Sequence, residues 1–526
     1  MVVNSERKQV ELKEYKNFPR VIIDSPQVLA KDNKLLVTEY EHQKPMVSSI
    51  SDGIMKIING DKVKYQLKTD LEKPKKLGLM LVGWGGNNGS TLTASLLALK
   101  NKLRWESRNG EQEANYFGSV IMASCTQVGV DNKGNDVHLP LFQLAPFTDP
   151  MDIEVSGWDI SKVSIGEAID RAKVLEPSLK AKLKPLLKDK VPLPSYYDPS
   201  FIASNQKDRA DNVIKGSKKE ILEKLRKDIR DFKQRVDKVV VMWTANTERY
   251  TVLDDKVHYK ANDLMKAIDS DFKEISPSTL FAVASIMEGC LFINGSPQNT
   301  LIPAVVELAK NNKVSVAGDD FKSGQTKFKS VLVDFLVSAG IKPLSIVSYN
   351  HLGNNDGKNL AEAAQFKSKE ISKSSVCDDI YSSNPLMFPN NKKPNVDHTI
   401  VIEYVPAVGD SKRAMDEYEC EIFMGGRQTF SIHNVCEDSL LAAPLMLDLV
   451  LLGELLTRVE IKKDGCEWQK FDTCLSLLSF MLKAPMVPKN APVINALGKQ
   501  RRAIEIMIKA IAGLPVIDDL DLPTRI

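Results

Sequence analysis

Residues 77–82 read Leu-Gly-Leu-Met-Leu-Val and run directly into Gly83-Trp84-Gly85-Gly86-Asn87-Asn88-Gly89-Ser90-Thr91. An apolar run with no polar alternation is what a parallel strand needs when both of its faces are covered. Four more apolar segments end the same way. Their loops begin at Thr244-Ala245-Asn246-Thr247, Asn294-Gly295-Ser296-Pro297-Gln298-Asn299, Gly318-Asp319-Asp320-Phe321-Lys322-Ser323-Gly324 and Tyr349-Asn350-His351-Leu352-Gly353-Asn354-Asn355-Asp356-Gly357. Helix-like sequence follows most of them. The repeat specifies an open α/β sheet, and ligands of such sheets bind where several strand ends and their loops converge.

The pattern assigns strands to 77–82, 116–124, 239–243, 280–285, 314–317 and 344–348, and helices to 90–101 and 218–235. In 218–235, Ile221, Leu222, Leu225, Ile229 and Phe232 recur at helical spacing among charges. Residues 105–115 are polar and read as a surface loop, and the Pro-rich stretch 184–199 as a surface excursion. Ahead of the sheet, 35–40 and 63–67 read as short half-buried strands of a lead-in element. After about residue 358 the character changes. Residues 399–404 and 420–424 look like strands of an antiparallel sheet, and the last 85 or so residues look mainly helical. The domain reading is 1–70 lead-in, 71–335 nucleotide-binding, 336–440 α+β, and 441–526 a helical C-terminal segment.

A chain of 526 residues with 43% hydrophobic and 26% charged content is an ordinary globular protein of two or three domains. Its 71 basic and 68 acidic residues leave a net charge of +3, so nothing calls for nucleic acid or an anionic membrane as partner. The seven cysteines are scattered, with no CxxC pair, which fits reduced thiols in a cytoplasmic protein. The charged first 20 residues lack the apolar core of a secretory signal. The apolar stretch 439–458 contains Asp448 and Glu454, and is read as a buried core helix.

Gly83, Gly85, Gly86 and Gly89 follow a strand and open a helix. Glycine lets a backbone approach a pyrophosphate closely, and the helix N-terminus supplies free N–H groups and a partial positive charge. The spacing is GxGGxxG rather than GxGxxG. Glu106, Glu111 and Glu113 lie about where a ribose-binding acid is sought, and spacing alone selects none of them. Lys369 and Lys373, four apart, share one helix face. Lys412 follows Asp410-Ser411, and Lys483 sits in apolar sequence that is assigned to a helix. A desolvated lysine can exchange protons near neutrality, and fixed ammonium groups stabilise oxyanions or hold phosphate. Asp320, Asp356 and Asp438 stand near these turns. The histidines show no metal-ligand spacing, so no metal site is expected.

Together, Gly83 to Thr91, Asn294 to Thr300, Gly318 to Lys327 and Ser348 to Gly357 resemble the eukaryotic myo-inositol-1-phosphate synthases, a similarity that runs from about residue 15 to 515. The resemblance implies a Rossmann-type doubly wound parallel sheet domain plus an inserted α+β catalytic and tetramerisation domain. It also implies that the final segment returns to the nucleotide domain. The implied activity is an NAD-dependent isomerisation of D-glucose 6-phosphate to 1D-myo-inositol 3-phosphate by a cytosolic homotetramer.

By motif, the cofactor residues it implies are Gly83, Gly85, Gly86, Asn87 and Asn88 at the pyrophosphate turn, with Asp159 at the adenosine ribose. Ser195, Gln206, Arg209, Thr244, Ala245, Asn246 and Thr247 would line the same cofactor. Gly295, Ser296, Asp320, Ser323, Asn355, Asp356, Asp410 and Asp438 would surround the nicotinamide end. Lys369, Lys373, Lys412 and Lys483 match the family's active-site lysines, with Asp320, Asn354, Asp356 and Asp438 beside them. The expected division gives proton transfer to Lys369 with Asp320, and stabilisation of the aldehyde oxygen to Lys412 and Lys483. Phosphate binding goes to Lys373, Ser323, Gly324 and Gln325. Two other readings compete: a sugar-phosphate dehydrogenase that releases NADH, and a nucleotide-sensing scaffold without catalysis.

Overall fold

A computed structural model describes residues 9–49, 54–389 and 396–515. The first eight residues of the expected lead-in, and residues 516–526 of the expected C-terminal segment, lie outside the described residues.

The central sheet has six strands, all parallel: β1 (Leu77–Val82), β2 (Ile153–Asp159), β3 (Leu193–Pro194), β4 (Lys238–Trp243), β5 (Leu291–Asn294) and β6 (Val316–Ala317). Their order across the sheet is β3-β2-β1-β4-β5-β6. This is the doubly wound order in which the strand sequence reverses beside β1, and the crevice opens at that point. The unbroken apolar run of β1 is explained by its two covered faces. Leu77, Leu79 and Leu81 join one core, and Met80 and Val82 join the other.

On the first face lies α1 (Asn87–Lys100), packed against the long helix that begins at Asp438. On the second lie α2 (Lys218–Lys233) and α3 (Pro277–Met287). A capping box between Ser217 and Glu220 starts α2, and its buried stripe is the predicted one, Ile221, Leu222, Leu225, Ile229 and Phe232.

Several assignments change. Residues 280–285 are not a strand but the middle of α3, and the strand follows at Leu291–Asn294. Every residue from Pro277 to Ile286 is buried, so the helix is apolar all round and shows no stripe. The 116–124 segment is a turn and a short helix, Val120–Ala123, whose N-cap is the Ser119 hydroxyl. Residues 104–113 form a β-hairpin rather than a loop, and the 184–199 stretch begins inside helix Pro177–Leu187 and then supplies β3.

Helix α4 (Gly324–Ser338) leads to a second, four-stranded sheet. Its members are β7 (Lys342–Leu352), β8 (Asp397–Tyr404), β9 (Ser411–Glu421) and β10 (Arg427–Glu437), in the order β8-β7-β9-β10. The β7–β8 pair is parallel, so the sheet is mixed rather than antiparallel, and 344–348 belongs here and not to the central sheet. Between β7 and β8 stand α5 (Asn355–Leu360) and α6 (Ala363–Ser374).

Helix α7 (Asp438–Leu456) then returns to α1 and the central sheet, and Leu445 to Leu456 are all buried there. The expected core helix is therefore a core helix. After it the chain is less helical than expected: strand Val459–Lys463 pairs with Lys62–Asp70, which pairs with Leu35–Gln43. The last helix among the described residues, α8 (Leu497–Ala512), covers this sheet, and the Thr38 hydroxyl donates to the Ala510 carbonyl at 2.6 Å.

Candidate active site

One cleft collects the carboxyl ends of β1, β2, β4, β5 and β6. It is walled on the far side by the ends of β7 and β8, helix α6, the starts of β9 and α7, and Lys483. Its space, with the open solvent at its mouth included, is about 1280 Å³.

The glycine turn forms one end. Gly83 has φ +86°, and a Cβ there would lie 2.6 Å from the Ala245 Cα. A Cβ on Gly89 would lie 2.6 Å from the Trp84 carbonyl oxygen, so helix α1 can sit against the strand end only with glycine there. Gly86 is the N-cap of α1, with no capping side chain and no acidic residue in the first turn. The first N–H groups of a 14-residue helix therefore face the cleft beside Asn87 and Asn88, an arrangement suited to a pyrophosphate.

Asp159 ends β2, the strand next to β1. Its carboxylate accepts from the Gly85 and Ser161 N–H groups, both at 2.9 Å. A ribose-binding acid occupies this place in a nucleotide sheet. It comes 70 residues after Gly89 because two hairpins and several short helices are inserted between α1 and β2. Burial pushes the Asp159 carboxyl up, against the pull of Arg209 and Arg171. Glu111 and Glu113 pair with Arg104 on the exposed hairpin, and neither they nor Glu106 lines the cleft. The residues present fit a dinucleotide.

At the other end three lysines and three carboxylates interlock. Asp320, in a left-handed conformation (φ +61°), is almost fully buried. Its Oδ1 accepts from Lys369 Nζ at 3.0 Å, its Oδ2 from the Ser372 hydroxyl at 2.7 Å, and Lys483 Nζ lies 3.2 Å from Oδ2. Burial works to raise the Asp320 pKa, but the two ammonium groups and Ser372 outweigh it and hold it at about 2. Lys369 loses solvation too, yet Asp320, Asp356 and Asp438 raise it above the ordinary lysine value. Lys483 goes the other way, since burial and the repulsion of Lys369 and Lys412 overcome Asp320 and bring it to about 7.

Lys412 Nζ lies 3.5 Å from Asp438 Oδ1. Burial works to raise Asp438, but Lys412, Lys369 and Lys483 prevail and lower it. Asp356 is raised, chiefly by burial.

Lys483 is not on a helix. It stands at a bend just after the short 3-10 segment Ser476–Met481, and Leu482 between them bridges Phe321. Pro485 disfavours helix in the residue before it. Residues 318–322 are thereby held from two sides. Asp320 N–H donates to the Ser296 carbonyl, Lys483 N–H donates to the Asp320 carbonyl, and Asp319 and Ala484 exchange backbone hydrogen bonds.

Lys373, one turn beyond Lys369 on α6, is buried and donates to Asn350 Oδ1 at 3.0 Å and Gln325 Oε1 at 3.2 Å. Burial, then Lys412, Lys483, Lys329 and Lys369, push it well below the usual lysine range. Ser323, the N-cap of α4, lines the cleft with its side chain free of any capping bond.

Most of the expected site residues line this one cleft. Gly85, Gln206, Gly324, Gln325 and Asp410 stand behind its wall. Gln206 accepts from Asn355 Nδ2 at 3.0 Å. Asp410 accepts from Asn87 at 3.1 Å, Asn354 at 3.2 Å and Ser439 at 2.9 Å, and so joins the glycine turn to the second sheet. Asn354 also caps α5 through the Gly357 N–H. Arg171 was not anticipated. It lines the cleft and donates to the Gly85 carbonyl. The capping box Ser164-Ile165-Gly166-Glu167 announces its helix, Ile165–Ala172, but nothing local says that the last turn points back at the glycines. Among the described residues no cluster of His, Cys, Asp and Glu could hold a metal ion.

The NAD-binding family described as myo-inositol-1-phosphate synthase matches residues 77–509. The inositol-3-phosphate synthase of Drosophila melanogaster is 52% identical over 506 residues, covering 95% of this chain and 89% of the relative. That of Dictyostelium discoideum is 52% identical over 512 residues, covering 97% and 99%. The crystal structure of inositol-3-phosphate synthase from Caenorhabditis elegans superposes with a TM-score of 0.92 at 51% identity, covering 96% of this chain and 98% of that one. A related protein from Thermotoga maritima, 21% identical with a TM-score of 0.60, shares the fold over 84% of this chain. With the glycine turn, the strand order and the lysine–carboxylate cluster in place, the match over most of its length means that this chain belongs to the myo-inositol-1-phosphate synthase family.

Proposed function

We propose that this chain is an NAD-dependent inositol-3-phosphate synthase, which converts D-glucose 6-phosphate to 1D-myo-inositol 3-phosphate without net redox change. The observation that carries the reading is Asp320 lying between Lys369 and Lys483 in the cleft that also holds the glycine turn. NAD, when bound, supplies the acceptor for hydride from carbon 5 and returns that hydride after ring closure. Everything between is proton and charge management. A ketone at carbon 5 acidifies the carbon 6 protons, the enolate attacks the carbon 1 aldehyde, and each stage makes or consumes an oxyanion.

Fixed ammonium groups in a water-poor cleft are suited to that task. Lys369, tied to Asp320 and strongly basic, keeps its charge and stabilises an alkoxide or enolate oxygen. Lys483, at about 7, is the group that can take a proton and give it back near neutrality. This moves part of the proton transfer expected of Lys369 to its partner across Asp320. Lys412 faces the same space and meets the aldehyde oxygen. Lys373 and the start of α4 beside Ser323 take the phosphate, a charged donor and a helix N-terminus together. Asn354, Asp356 and Asp438 fix the lysine cluster.

The test is incubation with glucose 6-phosphate and NAD, following the NADH absorbance band and assaying inositol phosphate. Product with almost no NADH supports the synthase. Accumulating NADH supports a dehydrogenase, and NAD binding without product a scaffold.

We also propose a homotetramer and a cytoplasmic location. The outer face of the second sheet exposes Tyr349, Met415 and Val435, with Phe423 and Met424 at its β9–β10 turn, and a second copy could cover it. All seven cysteines are free, in keeping with a reducing compartment. Light scattering and cell fractionation test the two points.

A further inference from the structure

Strand β9 alternates, with Ala414, Asp416, Tyr418 and Cys420 inward and Arg413, Met415, Glu417 and Glu419 outward. Apart from Lys412, which lines the cleft at the start of the strand, Asp416 is the one charged residue in the inward phase. It is only 4% exposed, lines no part of the cleft, and meets Gln325, whose Nε2 donates to Asp416 Oδ1 at 2.6 Å. The other end of the same amide, Oε1, accepts from Lys373 Nζ at 3.2 Å. A carboxylate on one side and an ammonium on the other allow only one orientation of that amide. Reversed, it would aim its NH₂ at the lysine and its oxygen at the carboxylate. Tyr418 OH, 3.4 Å from Asp416 Oδ2, holds the other carboxylate oxygen.

A phosphate dianion beside Lys373 opposes the effect of burial and of the neighbouring lysines and favours the ammonium form, which has three N–H donors. Lys373 gives one to Gln325 and one to Asn350, both neutral acceptors, and its position on the cleft wall leaves the third for a bound anion. Among the described residues no carboxylate forms an ion pair with it, and Lys412, Lys483, Lys329 and Lys369 all act on it as like charges. The geometry of its two amide contacts therefore decides where it points. We propose that Asp416 is a positioning residue that acts through Gln325 to aim Lys373 at the phosphate of the substrate, touching neither substrate nor cofactor itself. This rests on the reading of the cleft as a sugar-phosphate site.

The test is a double-mutant cycle of Asp416→Asn and Gln325→Met, with steady-state kinetics on glucose 6-phosphate and a separate NAD titration. Asp416→Asn should raise KM about tenfold, the worth of a hydrogen bond to a charged group, with kcat changed less and NAD affinity unchanged. Once Gln325 is Met, the Asp416 change should add nothing, because the two act as one unit. Asp416→Glu, which keeps the charge, should restore part of the lost KM. Additive effects of the two changes, or an equal fall in kcat and NAD affinity, would overturn the proposal while leaving the synthase reading intact. A wild-type protein that forms no inositol phosphate would remove both.

Discussion

Replacing Asp320 by Asn removes one charge and almost no volume. In the native site that charge faces Lys369 at 3.0 Å and Lys483 at 3.2 Å. At an effective dielectric constant of ~20, each pair attracts by about 5 kcal/mol, but burial of the carboxylate opposes most of the gain. The net is read from its titration. An unfolded aspartate ionises near 3.9 and the folded one at about 2, so the ionised group stabilises the fold by about 2–3 kcal/mol. The folded pKa is the lower, so this contribution is complete above the unfolded value and is lost as the pH falls through the folded one.

Asparagine does more than forgo that contribution, because it takes from the buried Lys369 its one hydrogen-bonded carboxylate and leaves only Asp356 and Asp438 to balance it. Breaking one side of a buried pair costs about 3–5 kcal/mol. The expected result is a fall of that size in unfolding free energy by urea titration, and a loss of inositol phosphate formation of at least about 100-fold. Adding Lys369→Met should recover part of the stability and none of the activity. An Asp320→Asn protein with the native unfolding midpoint and native turnover would refute the reasoning. So would a double variant less stable than the single one.

Gly83→Ala forces a side chain onto φ +86° and against the Ala245 backbone, and should cost more than about 1 kcal/mol together with NAD affinity, measured by quenching of Trp84 and Trp243 fluorescence. Arg171→Met frees the Gly85 carbonyl and should weaken NAD binding about tenfold while leaving the KM for sugar phosphate unchanged. Lys483 titrates at about 7, so a step that needs its ammonium form should fade as pH rises through that value, and Lys483→Met should abolish this limb of the kcat/KM profile along with most activity. Its folded pKa lies below the unfolded one, so burying Lys483 costs stability in full below about 7 and not at all above the ordinary lysine value. Lys483→Met should therefore stabilise most on the acid side, as thermal midpoints across pH would show.

What the sequence made legible was local. The strand at 77–82, the glycine turn and α1 lie side by side in the chain, and periodicity with glycine placement suffices to read them. The stripe and capping box of α2 are equally plain. Residues 280–285 defeat the method because a helix buried on every side has no apolar phase. Ser276 followed by Pro277 was the available signal, an N-cap with proline in the first turn. The strand at Lys342–Leu352 was visible, but its partners were not, since Ser345 pairs with Asp397 on one side and Glu419 on the other. The lysines could be nominated by motif, whereas their electrostatics could not. Lys369 and Lys483 share one carboxylate and are shifted in opposite directions: burial lowers both, Asp320, Asp356 and Asp438 outweigh it at Lys369, and the repulsion of Lys369 and Lys412 adds to it at Lys483. Asp416 left a fainter trace, a charge in the inward phase of an alternating strand.

Residues 318–322 lie between the loop after β5 and the segment 481–486, with Lys483 fixed to the Asp320 backbone. The catalytic centre can therefore assemble only after the chain has been made past residue 486. Earlier intermediates can complete a nucleotide sheet yet lack the lysine that balances its buried aspartate. Chemistry at the sugar is thereby tied to the late arrival of Lys483 beside Asp320.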